Sequence, residues 1–524
     1  MDIDKDSEEY NEFYEDIKKL QAIIFQKKIY DLKLHNLKRK NIYIFLMNNY
    51  ENTLDEEINT SLIRIVNEYK YYNNIKVYAF SGTVESELIV SSIGQKEANE
   101  QLETYKELFN DKEKEILSIN DINDIISQAT NNINKYKKSI KNNQPLDDTE
   151  LNNIKTHLLK TATLINKINL PTIEVHRIDY AKNMIYSILP SLNNSLFNNQ
   201  EQNIDVVVVG LGNYGKLITK TLAWYTQIPN KKLICHCITN DIKNMDILKG
   251  QAPGLFNPEF NNYVEGECCL EIREECIENV EGIKLTKYLE NIPQAKLIVV
   301  SLGQDELNIN VAARIRSLYK RLGKEPKIIT VVYNNEVIDS IKYAAVKKDY
   351  YNIDYIGSVN EIYNKDTILN SNIEKMGLVG HLQYENKPFE ENDLIKQLNI
   401  PNLEELNNKT HQYALNSYYL NEYNYNSSLA SAIHYEYVLK PLKLFGLDKE
   451  SQTEEEKLAM AINEHRRWDA YVYSVGFLPT PHHDKKERND LAKTHHDLRN
   501  YFELHKEEQI KDQTINEAHK VNNK

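Results

Sequence analysis

The chain has 524 residues, 41% of them hydrophobic, and a formal net charge of −13 at pH 7. At ~150 residues per domain there is room for about three domains with real cores. The acid excess speaks against a nucleic-acid backbone as partner. No apolar run approaches the ~18 residues of a membrane span and the acidic N-terminus carries no secretory signal, so a cytoplasmic protein is expected. The five cysteines, Cys235, Cys237, Cys268, Cys269 and Cys276, are odd in number and confined to one region, unlike a secreted disulfide framework. C-x-C inside an apolar run points to core packing rather than to a metal. The 35 tyrosines, beside many Asn, Ile and Lys, read as compositional bias and carry no functional inference.

Residues 1–40 read as a charged N-terminal helical segment, solvated or docking. From Asn41 a β/α rhythm begins: strands over 42–47 and 75–80, a helix over 54–69, long polar helices within 95–165, then a strand over 173–178 and a helix over 180–189. Met47-Asn-Asn-Tyr-Glu51 stands where a glycine turn belongs. Residues 41–192 are therefore expected to form a degenerate Rossmann-like unit with a helical insertion, holding a dimer or domain interface rather than a nucleotide. A polar linker, 193–203, follows.

The next stretch is the one with chemistry in it. Four valines, Val206–Val209, form a run suited to a strand buried on both faces. The run ends in Gly210-x-Gly212-x-x-Gly215, and Lys216–Trp224 continues as an amphipathic helix. Only 16 glycines occur in the whole chain, so three within six positions at this place is a specific signal. Gly210 allows the tight turn, Gly212 the approach of a pyrophosphate, and Gly215 the packing of helix on strand. An anion would rest on free N–H groups at the helix N-terminus. A second apolar run, 232–239, ends at Asn240-Asp241, where an acid holds ribose hydroxyls. The alternative is a structural Rossmann unit whose cradle takes no ligand. Residues 250–266 read as a lid or insertion; strands follow near 271–279, 295–301, 327–332 and 353–356, with helices between. An α/β doubly wound parallel sheet over 203–365 is the expected fold.

This pattern, with Val299-Val-Ser-Leu-Gly-Gln-Asp305-Glu-Leu-Asn308, resembles the ligand-sensing domain of potassium-channel and transporter regulators, the TrkA-N or RCK type. The resemblance covers about 203–360. It implies a bound NAD(H) or another adenine nucleotide, contacted by Gly210, Gly212, Asn213, Tyr214, Gly215, Asp241, Gly303, Asp305 and Asn308. It also implies a homo-oligomer, since such units usually bury one another's helices.

Residues 366–425 read as a connecting segment. A helix over 454–475 then carries Leu458, Ala461, Ile462, His465, Trp468 and Val472 on one face, which leaves Glu464, Arg466 and Arg467 off it. Two adjacent guanidiniums suit a phosphate or carboxylate; the alternative is pairing with neighbouring helices. The pairs His482-His483 and His495-His496 lack the spacing of a zinc signature, so no metal is expected. The order E-H-x-R-W, small-G-aromatic, K-x-x-H-x-x-L, E-L and K-D over 430–518 resembles the ryanodine-receptor repeat domain, placed here at 426–518. That resemblance implies a ligand- or partner-recognising module in which Glu464, Arg466, Arg467 and Trp468 serve binding. Prokaryotic fusions of the two domain types exist, many with membrane helices that this chain lacks.

No G-x-S-x-G, H-E-x-x-H or Walker sequence is present, and no substrate domain follows Gly357. The expectation favours a nucleotide-sensing regulator over an enzyme; the resemblances imply a partner effector or channel and a setting in ion homeostasis or phage defence. An NAD(P)-dependent oxidoreductase and a purely structural scaffold are the competing readings.

Overall fold

The computed structural model describes residues 42–46, 75–79, 90, 119–168, 173–197 and 201–513, the last stretch without 257–261, 265–266, 269, 346–350, 370, 386–387, 401, 481–487 and 507. The expected helices over 1–40 and 54–69, and the pair His482-His483, lie outside the described residues.

Three parallel strands, β1 (Ile42–Leu46), β2 (Ile75–Ala79) and β3 (Ile173–Arg177), form a small sheet in that order. The long polar segment gives α1 (Ile119–Lys141) and α2 (Asp148–Lys167), and α3 (Tyr180–Phe197) follows β3.

The second sheet has six strands, all parallel. In chain order they are β4 (Asn203–Val209), β5 (Lys232–Thr239), β8 (Leu270–Cys276), β9 (Leu297–Val300), β10 (Lys327–Val331) and β11 (Ile353–Ile356), with a short hairpin of β6 (Asn262–Val264) and β7 (Glu267–Cys268) before β8. Across the sheet the order is β11-β10-β9-β4-β5-β8. The chain thus steps outward from β4 on one side, returns, and steps outward on the other, which is the doubly wound α/β arrangement. Ile204 to Val209 are all buried, as a central strand covered on both faces requires. Helices α4 (Asn213–Tyr225), α5 (Ile242–Gln251), α6 (Ile283–Glu290), α7 (Asp305–Arg321) and α8 (Asn335–Ala345) connect the strands.

One face of the sheet is packed by α6 and α7 through Leu285, Leu289, Val311, Ile315 and Leu318. On the other, α4 and α3 bring Ile218, Leu222, Met184 and Leu192 into one core with Ala470, Val472 and Phe477 from the C-terminal region. Residues 366–425 are largely helical, with α9 (Asn372–Glu385) and α10 (Leu403–Tyr419) followed by α11 (Glu422–His434). Helix α10 packs on α1, α2 and β3.

Helix α12 (Glu454–Ser474) opens with a capping box between Thr453 and Glu456. Its one-faced reading fails on inspection of burial. Leu458 is 40% exposed, while Glu464, Arg466, Arg467 and Asp469 are buried together with Ala470 and Val472. The second half of this helix is surrounded by protein on all sides.

Candidate functional site

The glycine turn sits at the C-terminal end of β4, and β4 lies where the outward steps diverge, beside β9. Crevices at such switch points hold ligands in open α/β sheets. The three glycines answer to different demands. Gly210 has φ +96°, and a Cβ there would lie 2.1 Å from the Ser301 carbonyl oxygen. At Gly215 a Cβ would lie 1.8 Å from the Gly210 carbonyl oxygen. Both are required by the protein's own packing. Gly212 is the N-cap of α4 with φ −62° and ψ −166°, a conformation open to any residue. A Cβ on Gly212 would meet nothing within 4 Å. The fold makes no demand for glycine there, and the space it leaves fits the approach of a phosphate.

Four residues on stands Lys216, in the first turn of α4 and only 7% exposed. Among the described residues it has no hydrogen-bonding or ion-pairing partner. Cβ atoms lean toward the helix N-terminus, so its stem leans toward the glycine turn. One turn later, burial and then the charges of Lys216 and Lys182 pull the Lys220 ammonium down to about 8. Lys182 has Asp179 and Glu422 as counter-charges, each at 3.8 Å, and Lys220 has the neutral Gln251 amide at 2.9 Å. Lys216 has neither kind of partner among the described residues. In the sequence, the one signal for this lysine is its place directly after the third glycine.

The other predicted contacts fall into two groups. Asn213 and Asp241 are exposed near the ends of β4 and β5. One Asp241 oxygen accepts from the Lys243 N–H at 3.0 Å as the N-cap of α5. Gly303 is exposed with φ +86° in the turn after β9. Asp305 and Asn308, by contrast, are engaged inside the fold. The Asp305 carboxylate accepts from the Tyr333 and Asn334 N–H groups at 2.9–3.1 Å. Asn308 is fully buried; its Oδ1 accepts from the Leu302 N–H at 2.6 Å and its Nδ2 donates to the Val331 carbonyl at 2.8 Å. These two residues tie the turns after β9 and β10 together. Tyr214 is half-buried among other tyrosines.

The C-terminal candidates lie apart from the glycine turn. Arg467 grips Glu464 through two hydrogen bonds, Nε to Oε2 at 3.0 Å and a terminal nitrogen to Oε1 at 2.8 Å, and Ser431 donates to the same Oε1. Arg466 reaches Gln227 Oε1 at 2.8 Å and the Lys231 carbonyl at 3.1 Å, in the turn that follows α4. Trp468 stacks on His465 and meets His495 edge-on at 4.8 Å. His495, His496 and Asp497 bring three ligand atoms within 4.8 Å of one another. Burial and then the charges of Arg488, His496 and Lys511 hold the His495 imidazolium well below its usual range.

Cys235 and Cys237 are buried, their sulfurs 3.7 Å apart within β5. Among the described residues no helix is long and apolar enough to cross a membrane. Compared with known proteins, the chain matches no family model, no curated protein and no solved structure. The chain is an α/β protein with a six-stranded parallel sheet, compatible with a Rossmann-like sheet.

Proposed function

We propose that this protein is a nucleotide-sensing regulator that holds the phosphates of an adenine nucleotide at the glycine turn. The observation that carries this reading is the combination of Lys216, a largely buried lysine with no partner among the described residues, and the dispensable glycine Gly212 at the N-cap of the same helix. A phosphate at the turn would give the Lys216 ammonium an anionic partner through a charge-assisted hydrogen bond. Gly212 would give the phosphate room, α4 would present its N–H groups, and Asp241 would take the ribose. The bound nucleotide supplies negative charge and no chemistry of its own.

The output side of the proposal rests on α12. It packs along α4, and Gln227, just past the end of α4, accepts from Arg466 at its side chain and from Asn463 and His434 at its carbonyl. A shift of α4 on ligand binding would thus reach the C-terminal region directly. The resemblances of 203–360 to TrkA-N domains and of 430–518 to the ryanodine-receptor repeat agree with a sensor joined to a recognition module. A partner effector or a second copy of the chain would read the change. The test is a thermal-shift series with ADP, ATP and NAD⁺ on the full chain: a dose-dependent rise in Tm is expected for at least one, and no response to any would overturn the proposal.

A further inference from the structure

A dinucleotide in a doubly wound sheet spans the switch point, one nucleoside over each half of the sheet. The two halves of this crevice differ. On the β5 side, Asn240 and Asp241 are exposed and polar. On the β10–β11 side a band of tyrosines runs across the strand ends. Tyr214, inside the glycine turn, has its ring 5.9 Å from that of Tyr333, which follows β10. Tyr180, at the start of α3, packs edge-on against Tyr214 at 6.5 Å and Tyr363 at 5.5 Å, and donates to the Gly357 carbonyl after β11 at 2.6 Å. All four rings are half-buried against the core. Asp305 fixes the band from below by binding the Tyr333 and Asn334 N–H groups. Burial, and then Tyr214, pushes the Tyr333 phenol up, so the hydroxyl stays protonated and able to donate.

We propose that Tyr180, Tyr214, Tyr333 and Tyr363 fill the half of the crevice beyond β9, so that the ligand ends at its phosphates: an adenine mononucleotide such as ADP, not a dinucleotide. The inference rests on the nucleotide reading above and narrows it. A nicotinamide ribose would have to displace hydrogen-bonded, core-packed rings, whereas a terminal phosphate stops short of them. It also removes the seat that hydride-transfer chemistry needs.

Titration calorimetry on the full chain with ADP and NAD⁺ tests this, for the wild type and for Tyr214→Ala, Tyr333→Phe and Tyr180→Phe. The wild type is expected to bind ADP at least tenfold more tightly than NAD⁺. Tyr214→Ala should narrow that ratio to threefold or less. The two phenylalanine variants lose only a hydroxyl, stay folded, and should narrow it in part if Tyr214→Ala does not fold. NAD⁺ binding the wild type as tightly as ADP, or a ratio unmoved in every folded variant, would overturn the inference and leave the nucleotide reading standing. Binding of neither ligand would end both.

Discussion

Arg466 Nε donates to Gln227 Oε1 at 2.8 Å, tying the buried half of α12 to the turn that ends α4. Gln227 in turn donates from Nε2 to the Ala223 carbonyl at 2.6 Å, so the guanidinium is held on the helix that carries the glycine turn at its other end. Burial and then the Arg467 charge pull the His434 imidazolium down to about 3, which leaves a neutral ring donating from Nε2 to the Gln227 carbonyl.

Removing either guanidinium is therefore expected to damage the fold. Arg467→Ala leaves Glu464 buried without its bidentate partner, at a cost of about 3–5 kcal/mol. Arg466→Ala strands Gln227 Oε1 and the Lys231 carbonyl, at about 1–3 kcal/mol. Denaturant unfolding of both variants measures this; two variants as stable as the parent would contradict the packing described.

Lys216→Met keeps an apolar chain of similar length and removes the ammonium. The ligand-free protein is expected to melt no lower than the parent, because the change breaks no pair among the described residues and keeps the packing of the stem. Phosphate-dependent ligand binding should weaken at least tenfold in the same variant. A lower Tm with unchanged binding would show that Lys216 has a counter-charge in solution.

The C-terminal cluster sets a pH dependence. His465 lies 3.6 Å from Asp469 and 3.4 Å from Asp512. Burial works against its charge, but the two carboxylates outweigh burial and raise it to about 10. Burial pushes Asp469 up to about 8 despite the opposing pull of His465. Both groups keep a proton in the folded chain at a pH where the unfolded chain has released it. The His465 contribution is full below 6.5 and is lost as pH rises through 10; that of Asp469 is lost from 3.8 up to about 8. The two titrations are linked, since Asp469 holds the His465 charge only once it has ionised; between pH 6.5 and 8 the pair releases protons later than the unfolded chain, and stability should fall by about 1–3 kcal/mol. Melting curves of wild type and Asp469→Asn across that window check the sign: the wild type falls and the variant is flatter. A wild-type Tm that rises with pH contradicts it.

The valine run, the glycine spacing and the strand at 297–300 were legible because buried central strands and glycine turns leave local signatures. So was the core role of Cys235 and Cys237. Lys216 was not: a lysine on a helix reads as solvated until α3, α4 and their neighbours are assembled around it. The tyrosines were set aside as bias, and only the fold brings Tyr180, Tyr214, Tyr333 and Tyr363 from distant segments to one edge. Helix α12 misled for a related reason. Its charged residues look outward-facing by periodicity, yet their partners, Gln227, Ser431 and Lys231, come from elsewhere in the chain.

Gly212 is the most direct test of the central claim. Its backbone conformation admits valine and its missing Cβ faces open space, so Gly212→Val should fold like the parent. Gly215→Ala, whose Cβ would lie 1.8 Å from the Gly210 carbonyl oxygen, should lose stability and serves as the contrast. In calorimetric titration with ADP, the account predicts binding to the wild type and none to a Gly212→Val protein of unchanged Tm. Equal binding by the two proteins would contradict it.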